Sequence, residues 1–170
     1  VAIARRSFEE FYAGTVDRLL GQLFLVTTDL HEAEEVVQEA FVRAAGRWER
    51  LEAYDLPEAW VRRVAMNLAA DRARWRRRRE LLLRRIGEPP QVPDASVDAL
   101  ALADALRSLP ISHRQAIVLH YLVDMPVEEI ARTLSVSSGT VKSWLARGRR
   151  ALASVLGEHQ GSVKGRGAND

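Results

Sequence analysis

Two stretches of the chain carry residues whose types and spacing can do chemistry, and in both the chemistry is binding. From Ser138 to Leu152, at 100° per residue, Val141, Leu145, Gly148 and Leu152 share one side of a helix, with Trp144 at the edge of that stripe. Gly139, Ser143, Ala146, Arg147 and Arg150 fall opposite, flanked by Thr140, Lys142 and Arg149. Small residues at the start of such a helix let its backbone approach a ligand, while Lys and Arg further along reach phosphates or guanine edges. In the second stretch, Arg72 to Arg79, six of eight residues are arginine. A run of this kind can be solvated or sit at a helix end for dipole reasons. Six guanidiniums in two turns repel one another, however, and an anion offsets that cost. Nucleic-acid phosphate is the favoured anion, an acidic membrane surface the other.

Catalytic chemistry has no foothold. There is no carboxylate cluster, metal-ligand spacing, glycine-rich phosphate loop or nucleophile–base pair, so the chain reads as a non-enzyme with no metal or cofactor. The four histidines (His31, His113, His120 and His159) are scattered, with no pair at i, i+4. The absence of cysteine excludes disulfides and thiolate metal sites. With 170 residues, 47% hydrophobic and 28% charged, the composition is that of a soluble protein of one large or two small domains. Net charge is only +2, so electrostatics act through local clustering. No apolar run reaches the length of a membrane span and no signal-peptide pattern opens the sequence, which predicts a cytoplasmic protein with no membrane partner.

The elements that must position these stretches are helical. Ser7 with Glu10 makes a capping box, and Phe8, Phe11, Tyr12, Thr15, Val16, Leu19 and Leu23 form the apolar face of a first helix. Asp29 with Glu32 repeats the signature before a second, whose inner stripe is Ala33, Val36, Val37, Ala40, Phe41 and Ala44. Its other face is Glu35, Gln38, Glu39 and Val42, with Arg43 alongside, and an exposed valine among acidic and amide groups is odd on a surface that touches only water. Trp48 to Leu56 has no clean period and reads as a loop. Pro57 starts a long third helix with Val61, Val64, Ala65, Leu68 and Trp75 inward, and Arg62, Arg63, Met66, Asn67, Ala70 and Arg74 outward or to the side.

Three prolines between Gly87 and Asp94 mark a linker, and Glu88, Asp94, Asp98 and Asp104 make it and the following helix acidic. Leu102, Ala105, Leu106 and Leu109 face inward on that helix, which Pro110 ends. Ser112 with Gln115 predicts a third capping box, opening a helix apolar nearly all round from Ala116 to Val123. Pro126 suits the first turn of a short helix with Val127, Ile130, Ala131 and Leu134 inward, and a tight turn at Ser135-Val136 leads to Ser137 as N-cap of the basic helix. Two helices joined this way are the helix-turn-helix arrangement, whose second helix enters the major groove. A basic, solvated helix in another kind of bundle fits the same residues. Beyond Leu156 the polar, glycine-rich composition predicts a frayed tail.

In four motifs the chain resembles bacterial group IV sigma factors, the extracytoplasmic-function type of the sigma-70 family, in an actinobacterial-looking version. The motifs are Glu34-Glu-Val-Val-Gln-Glu-Ala-Phe-Val-Arg43, Ala59-Trp-Val-Arg-Arg-Val-Ala-Met-Asn-Leu-Ala-Ala-Asp-Arg72, Leu109-Pro-Ile-Ser-His-Arg-Gln-Ala-Ile-Val-Leu119, and Val127-Glu-Glu-Ile-Ala with Ser138-Gly-Thr-Val-Lys-Ser143. The resemblance implies an all-α fold of two small domains: a region 2 helical bundle at 5–86 and a region 4 helix-turn-helix at 97–157. A proline-rich linker at 87–96 joins them and a flexible tail at 158–170 follows.

The implied function is an alternative sigma factor that binds core RNA polymerase, directs promoter recognition and melting, and starts transcription. The resemblance places Glu35, Gln38, Glu39, Val42 and Arg43 on the clamp helices of the largest polymerase subunit, and the second domain on the flap of the second largest. It places Arg63, Asn67 and Arg74 on the single strand of the −10 element and Arg76, Arg77, Arg78 and Arg79 on its phosphates. A base is extruded into a pocket of the 48–56 loop, where Trp60 and Trp75 are candidates to stack on bases; in the other reading Trp75 is core and Trp60 supports the loop. Ser138, Gly139, Thr140, Lys142, Ser143, Arg147 and Arg150 fall on the −35 duplex. In the family the acidic linker threads toward the polymerase active centre, its charge standing in for RNA, and an anti-sigma factor often clamps between the domains. Two departures stand out: Glu35 replaces the usual aspartate, and Trp144 replaces an arginine common in relatives. The competing expectation is a stand-alone helix-turn-helix regulator with an N-terminal sensing or dimerising domain.

Overall fold

A computed structural model describes residues 7–83 and 97–164, with side chains over 7–79 and 102–153. The chain divides into two compact units, Val1–Pro93 and Asp94–Asp170. Residues 84–96, which hold the expected linker with Glu88 and Asp94, lie outside the described residues, as do 165–170. Among the described residues every regular element is a helix, and none is long and apolar enough to cross a membrane.

The first unit holds α1 (Phe8–Thr27), α2 (Leu30–Ala45), α3 (Trp48–Leu51) and α4 (Pro57–Leu83). The Ser7–Glu10 box forms in both directions: Ser7 Oγ accepts from the Glu10 N–H at 3.1 Å, and the Ser7 N–H donates to Glu10 Oε2 at 3.2 Å. The last turns of α1 are buried without interruption from Gln22 to Thr28, so this end of the helix is the centre of the unit. Thr28 closes α1 in the left-handed region at φ 59. Asp29 caps α2, accepting from the Glu32 N–H at 3.0 Å. The expected box is only half made, because the Glu32 carboxylate is buried and turns to α4.

At the other end Phe8, Phe11, Tyr12, Phe41 and Trp48 form one aromatic cluster, with Phe11 stacked on Trp48 at 4.9 Å and Tyr12 edge-on to Phe41 at 4.8 Å. This cluster, with Leu51 buried behind it, makes Trp48–Leu51 a helix where a loop was expected. Only 52–56 remains irregular.

Helix α4 packs against both α1 and α2, so its buried arc is wider than a single stripe. Val61, Ala65, Leu68, Ala69 and Ala73 are buried and so is Met66, expected outward; Val64 is only half-buried. Trp75, expected inward, is 62% exposed. The physical reason is length. Arg76 already pairs with Glu32 in the first turn of α2, so Trp75 meets only the start of that helix, near Asp29 and His31, and stays largely uncovered.

The second unit holds α5 (Val97–Arg107), α6 (Ile111–Tyr121), α7 (Val127–Leu134) and α8 (Ser138–Lys164). Its spine is α6, buried from Gln115 to Leu119, with α7 and α8 packed on it. The Ser112–Gln115 box does not form. Helix α6 starts at Ile111, and Pro110 stands at the N-cap with its φ already at −57 and its carbonyl accepting from His113 and Arg114. Pro126 likewise stands just before α7 as its N-cap. The turn between α7 and α8 is a paired C-cap: the Val136 N–H reaches Ala131 O at 2.9 Å and the Ser135 N–H reaches Arg132 O at 3.4 Å, with Ser135 left-handed at φ 57. Helix α8 continues to Lys164, past Gly157 where a tail was expected.

Gly148 is what brings α8 onto α6. A Cβ there would lie 3.0 Å from both Cγ1 and Cδ1 of Ile117. Gly148→Ala gains about 1 kcal/mol of helix propensity, but overpacking of this kind costs about 1–3 kcal/mol. The expected net is a loss of roughly 1 kcal/mol, read by thermal unfolding of the chain. Combined with Ile117→Ala, which removes both crowded atoms, the alanine should cost less than it does alone; strict additivity in that double-mutant cycle would contradict the contact.

Candidate functional site

In the second unit the outer face of α8 is set by its cap. Ser137 Oγ accepts from the Thr140 N–H at 3.1 Å and lies 2.8 Å from Thr140 Oγ1, which fixes the first turn. Gly139 is open, a Cβ there meeting only Ser137 Oγ at 3.8 Å, so the backbone of this turn can be approached closely. Val141, Leu145 and Gly148 are buried, as their spacing predicts, and Lys142, Arg147, Arg149 and Arg150 are exposed. Ser138, Thr140 and Ser143 are half-buried beside them.

The four cations are not equivalent. Arg149 donates to the Tyr121 hydroxyl at 3.2 Å and Arg150 folds back on Ala146 O at 3.4 Å. Lys142 and Arg147 make no hydrogen bond or ion pair among the described residues, and so stand ready for an external anion. Trp144 is half-buried against His113, ring centres 6.2 Å apart. Burial, and then the nearby Arg147 charge, push the His113 imidazole below its usual range, so it adds no positive charge to this face near neutrality.

In the first unit helical phase divides the arginines of α4. At 100° per residue, Arg63, Asn67, Arg74, Arg77 and Arg78 gather on one side, whereas Arg72, Arg76 and Arg79 fall about half a turn away. All five residues of the first group are exposed, with Arg74 tied to Asp71. On the second side the buried stripe simply runs on past the core. Arg72 donates to Glu35 at 2.6 Å and to Glu39 at 3.2 Å, Arg76 pairs with Glu32, and Arg79 lies over the Trp75 ring at 5.6 Å. The structure therefore groups Arg74, Arg77 and Arg78 with Arg63 and Asn67, and sets Arg76 and Arg79 apart from them.

The α2 face is assembled as its spacing predicts: Glu35, Gln38, Val42 and Arg43 are exposed and Glu39 half-buried, with Val42 65% exposed in their midst. Partial burial pushes the Glu39 carboxyl up, but hydrogen bonds from Arg43 at 2.5 Å and from Arg72 outweigh it and hold the group below its usual range. What sequence reasoning missed here is the Arg72 bridge. The i, i+4 pair of Glu39 with Arg43 is readable from spacing, but a contact between helices depends on their register.

Residues 11–79 match the Sigma-70 region 2 family and residues 99–152 match the Sigma-70, region 4 family. The chain is 34% identical over 153 residues to the RNA polymerase sigma-E factor of Streptomyces coelicolor, covering 89% of this chain and 85% of that protein. The chain belongs to the sigma-70 family. Within it the similarity runs to the extracytoplasmic-function group: an ECF RNA polymerase sigma factor SigL of Mycobacterium tuberculosis is 37% identical over 140 residues, 78% of this chain and 79% of that one. Among solved structures, the sigma factor RpoE of Bartonella quintana, in complex with the anti-sigma factor NepR, superposes with a TM-score of 0.73 at 23% identity, covering 88% of this chain and 96% of that one. The likeness supports the two-domain all-α fold.

A sigma factor binds core RNA polymerase and promoter DNA, so this chain needs a protein-facing surface and cationic surfaces for nucleic acid. Region 2 in the first unit sets aside the stand-alone regulator, whose N-terminal domain would sense a ligand or dimerise.

Proposed function

We propose that the α2 face of Glu35, Gln38, Glu39, Val42 and Arg43 docks this sigma factor on the clamp helices of the largest polymerase subunit. The observation that carries this is Val42, an exposed branched apolar side chain ringed by charges that are themselves held in place by hydrogen bonds. An apolar centre with an ordered polar rim is the make-up of a protein contact. Arg63, Asn67, Arg74, Arg77 and Arg78 follow the single strand of the −10 element, on the side of α4 turned away from that face. The irregular 52–56 segment, with Tyr54 and Leu56 exposed, receives the extruded base, whose unstacking costs a few kcal/mol. Arg76 and Arg79 contribute to the phosphate potential from behind.

The α8 face of Ser138, Gly139, Thr140, Lys142, Ser143, Arg147 and Arg150 reads the −35 duplex, and the second unit also meets the flap of the second-largest subunit. The domain limits 5–86 and 97–157 with the linker 87–96 suit this division of labour. The chemistry is left to the polymerase, in the cytoplasm. The complex of the Bartonella quintana protein with an anti-sigma factor supports the same kind of restraint on this chain. Run-off transcription with core enzyme on a promoter library tests the whole reading. Transcripts that depend on two spaced elements are the expected result, and duplex recognition that is just as selective without core polymerase would refute it.

A further inference from the structure

The irregular residues 52–56 run between α3 and α4, and both of their ends are tied to one side of α1. At the α3 end, the Trp48 ring stacks on Phe11 at 4.9 Å and stands edge-on to Phe8 at 5.5 Å. At the other end Glu58, in the first turn of α4, accepts from Arg18 Nε at 3.1 Å and from Arg62 at 2.5 Å. Arg18 also donates through Nη2 to the second oxygen of the same carboxylate. Arg62 in turn donates to the side-chain oxygen of Gln22 at 3.1 Å. Gln22 is 6% exposed and the Arg62 side chain 11%, so the inner half of this clasp is held out of water. At 100° per residue Phe8, Phe11, Arg18 and Gln22 lie within about 80° of one another. Phe11 and Arg18 are about 10 Å apart along the helix axis.

The clasp adds little to the fold. Helices α1 and α4 also pack on one another, and Leu19, Leu23, Val61 and Ala65 are fully buried. Ion pairs that stay partly exposed contribute little beside such a core. What the clasp fixes is direction. Without Glu58 the guanidiniums of Arg18 and Arg62 lose the acceptor they share and repel one another, which drives the first turn of α4 off α1. The Ala59 N–H donates to Leu56 O at 3.1 Å, so that turn carries the end of the segment with it. Tyr54 and Leu56, 54% and 69% exposed, are the side chains it displaces. Helix α1 itself bears no residue given above to polymerase or DNA. We propose that Glu58 is a positioning residue for strand opening: clasped by Arg18 and Arg62, it holds the start of α4 on α1 and so sets where the 52–56 segment meets the extruded base. The inference rests on the assignment of that segment to the base.

By charge alone, removing a carboxylate near a nucleic-acid strand strengthens binding; the clasp predicts the reverse. In holoenzyme assembled from the full chain and core polymerase, Glu58→Ala should weaken binding of a −10 single-stranded oligonucleotide about 5- to 30-fold. It should also slow the opening of a duplex promoter that carries a fluorescent adenine analogue in that element. Arg18→Ala should do the same, and the two changes together should cost little more than either alone. Glu58→Gln, which keeps an oxygen for the guanidiniums without the charge, should fall between parent and alanine. Core affinity and the thermal midpoint should barely move. Oligonucleotide affinity that is unchanged or raised in Glu58→Ala overturns the proposal. So does a loss matched by equal losses of core affinity and thermal midpoint, which would make the clasp a fold contact only. A loss with Arg18→Ala alone would make Arg18 a phosphate contact and overturn it too. If Glu58→Ala is silent but Leu56→Ser with Tyr54→Ala still impairs opening, the segment keeps the base and only the clasp is lost. If neither impairs it, the assignment of the segment has failed as well.

Discussion

Replacing Gln38 and Glu39 together by alanine is expected to lower affinity for core polymerase by on the order of 10- to 100-fold, about 1.4–2.7 kcal/mol. Both side chains sit beside Val42, and a few central residues carry most of the energy of such a contact. Glu39 matters twice, because it also anchors Arg43 and Arg72, and without it two guanidiniums lose their common acceptor. These are partly exposed pairs, worth little to the fold itself. The unfolding transition should therefore move far less than the binding curve. Measured by titration of labelled sigma against core enzyme, the loss should be matched by Val42→Asp, which places an unpaired charge at the apolar centre. Promoter oligonucleotide binding by whatever holoenzyme still forms should be close to normal. A double variant that binds core as tightly as the parent would remove polymerase from this face.

The opposite pattern is expected from Lys142→Ala with Arg147→Ala. Neither cation has a hydrogen-bond or ion-pair partner among the described residues of the second unit, so stability and core affinity should hold. Contacts to base edges are worth about 1–3 kcal/mol each, and each lost phosphate contact lowers the salt slope of binding by about one. Holoenzyme on a promoter with an intact −35 element should therefore bind roughly 10- to 100-fold more weakly, with a flatter dependence on salt. On a template whose −35 element is already scrambled, the two proteins should behave alike. Arg149→Ala is the contrast: its guanidinium is already held by Tyr121, and it should change promoter binding much less. Equal losses on intact and scrambled −35 templates would show that the pair supplies only general attraction to DNA.

Cap and periodicity signals are local, and most of them were legible. The Ser7–Glu10 box, the Asp29 and Ser137 caps, and the α8 stripe of Val141, Leu145 and Gly148 all appear where their spacing puts them. The Ser112–Gln115 signature failed because Pro110 had already begun the helix, so a good motif sat two residues too late. Met66 and Trp75 were misplaced for a different reason. Periodicity fixes which residues share a side, but how many neighbours a helix has, and where they stop, is decided by the other helices. The same limit hid Arg72 and Arg76. Sequence shows six arginines in a row of eight, and only the register of α2 against α4 tells which of them already have carboxylates. Gly148 could be placed on the inner stripe, but its contact with Ile117 needed coordinates.

The bridges from Arg72 to Glu35 and Glu39, and from Arg76 to Glu32, have a bearing on how mutational surveys of this protein should be interpreted. An acid removed from one helix leaves a base stranded on the other, so defects in strand opening can arise from residues that never meet a nucleotide. Alanine scans of either helix will overcount contacts. Paired replacements, acid and base changed together, are the cleaner instrument.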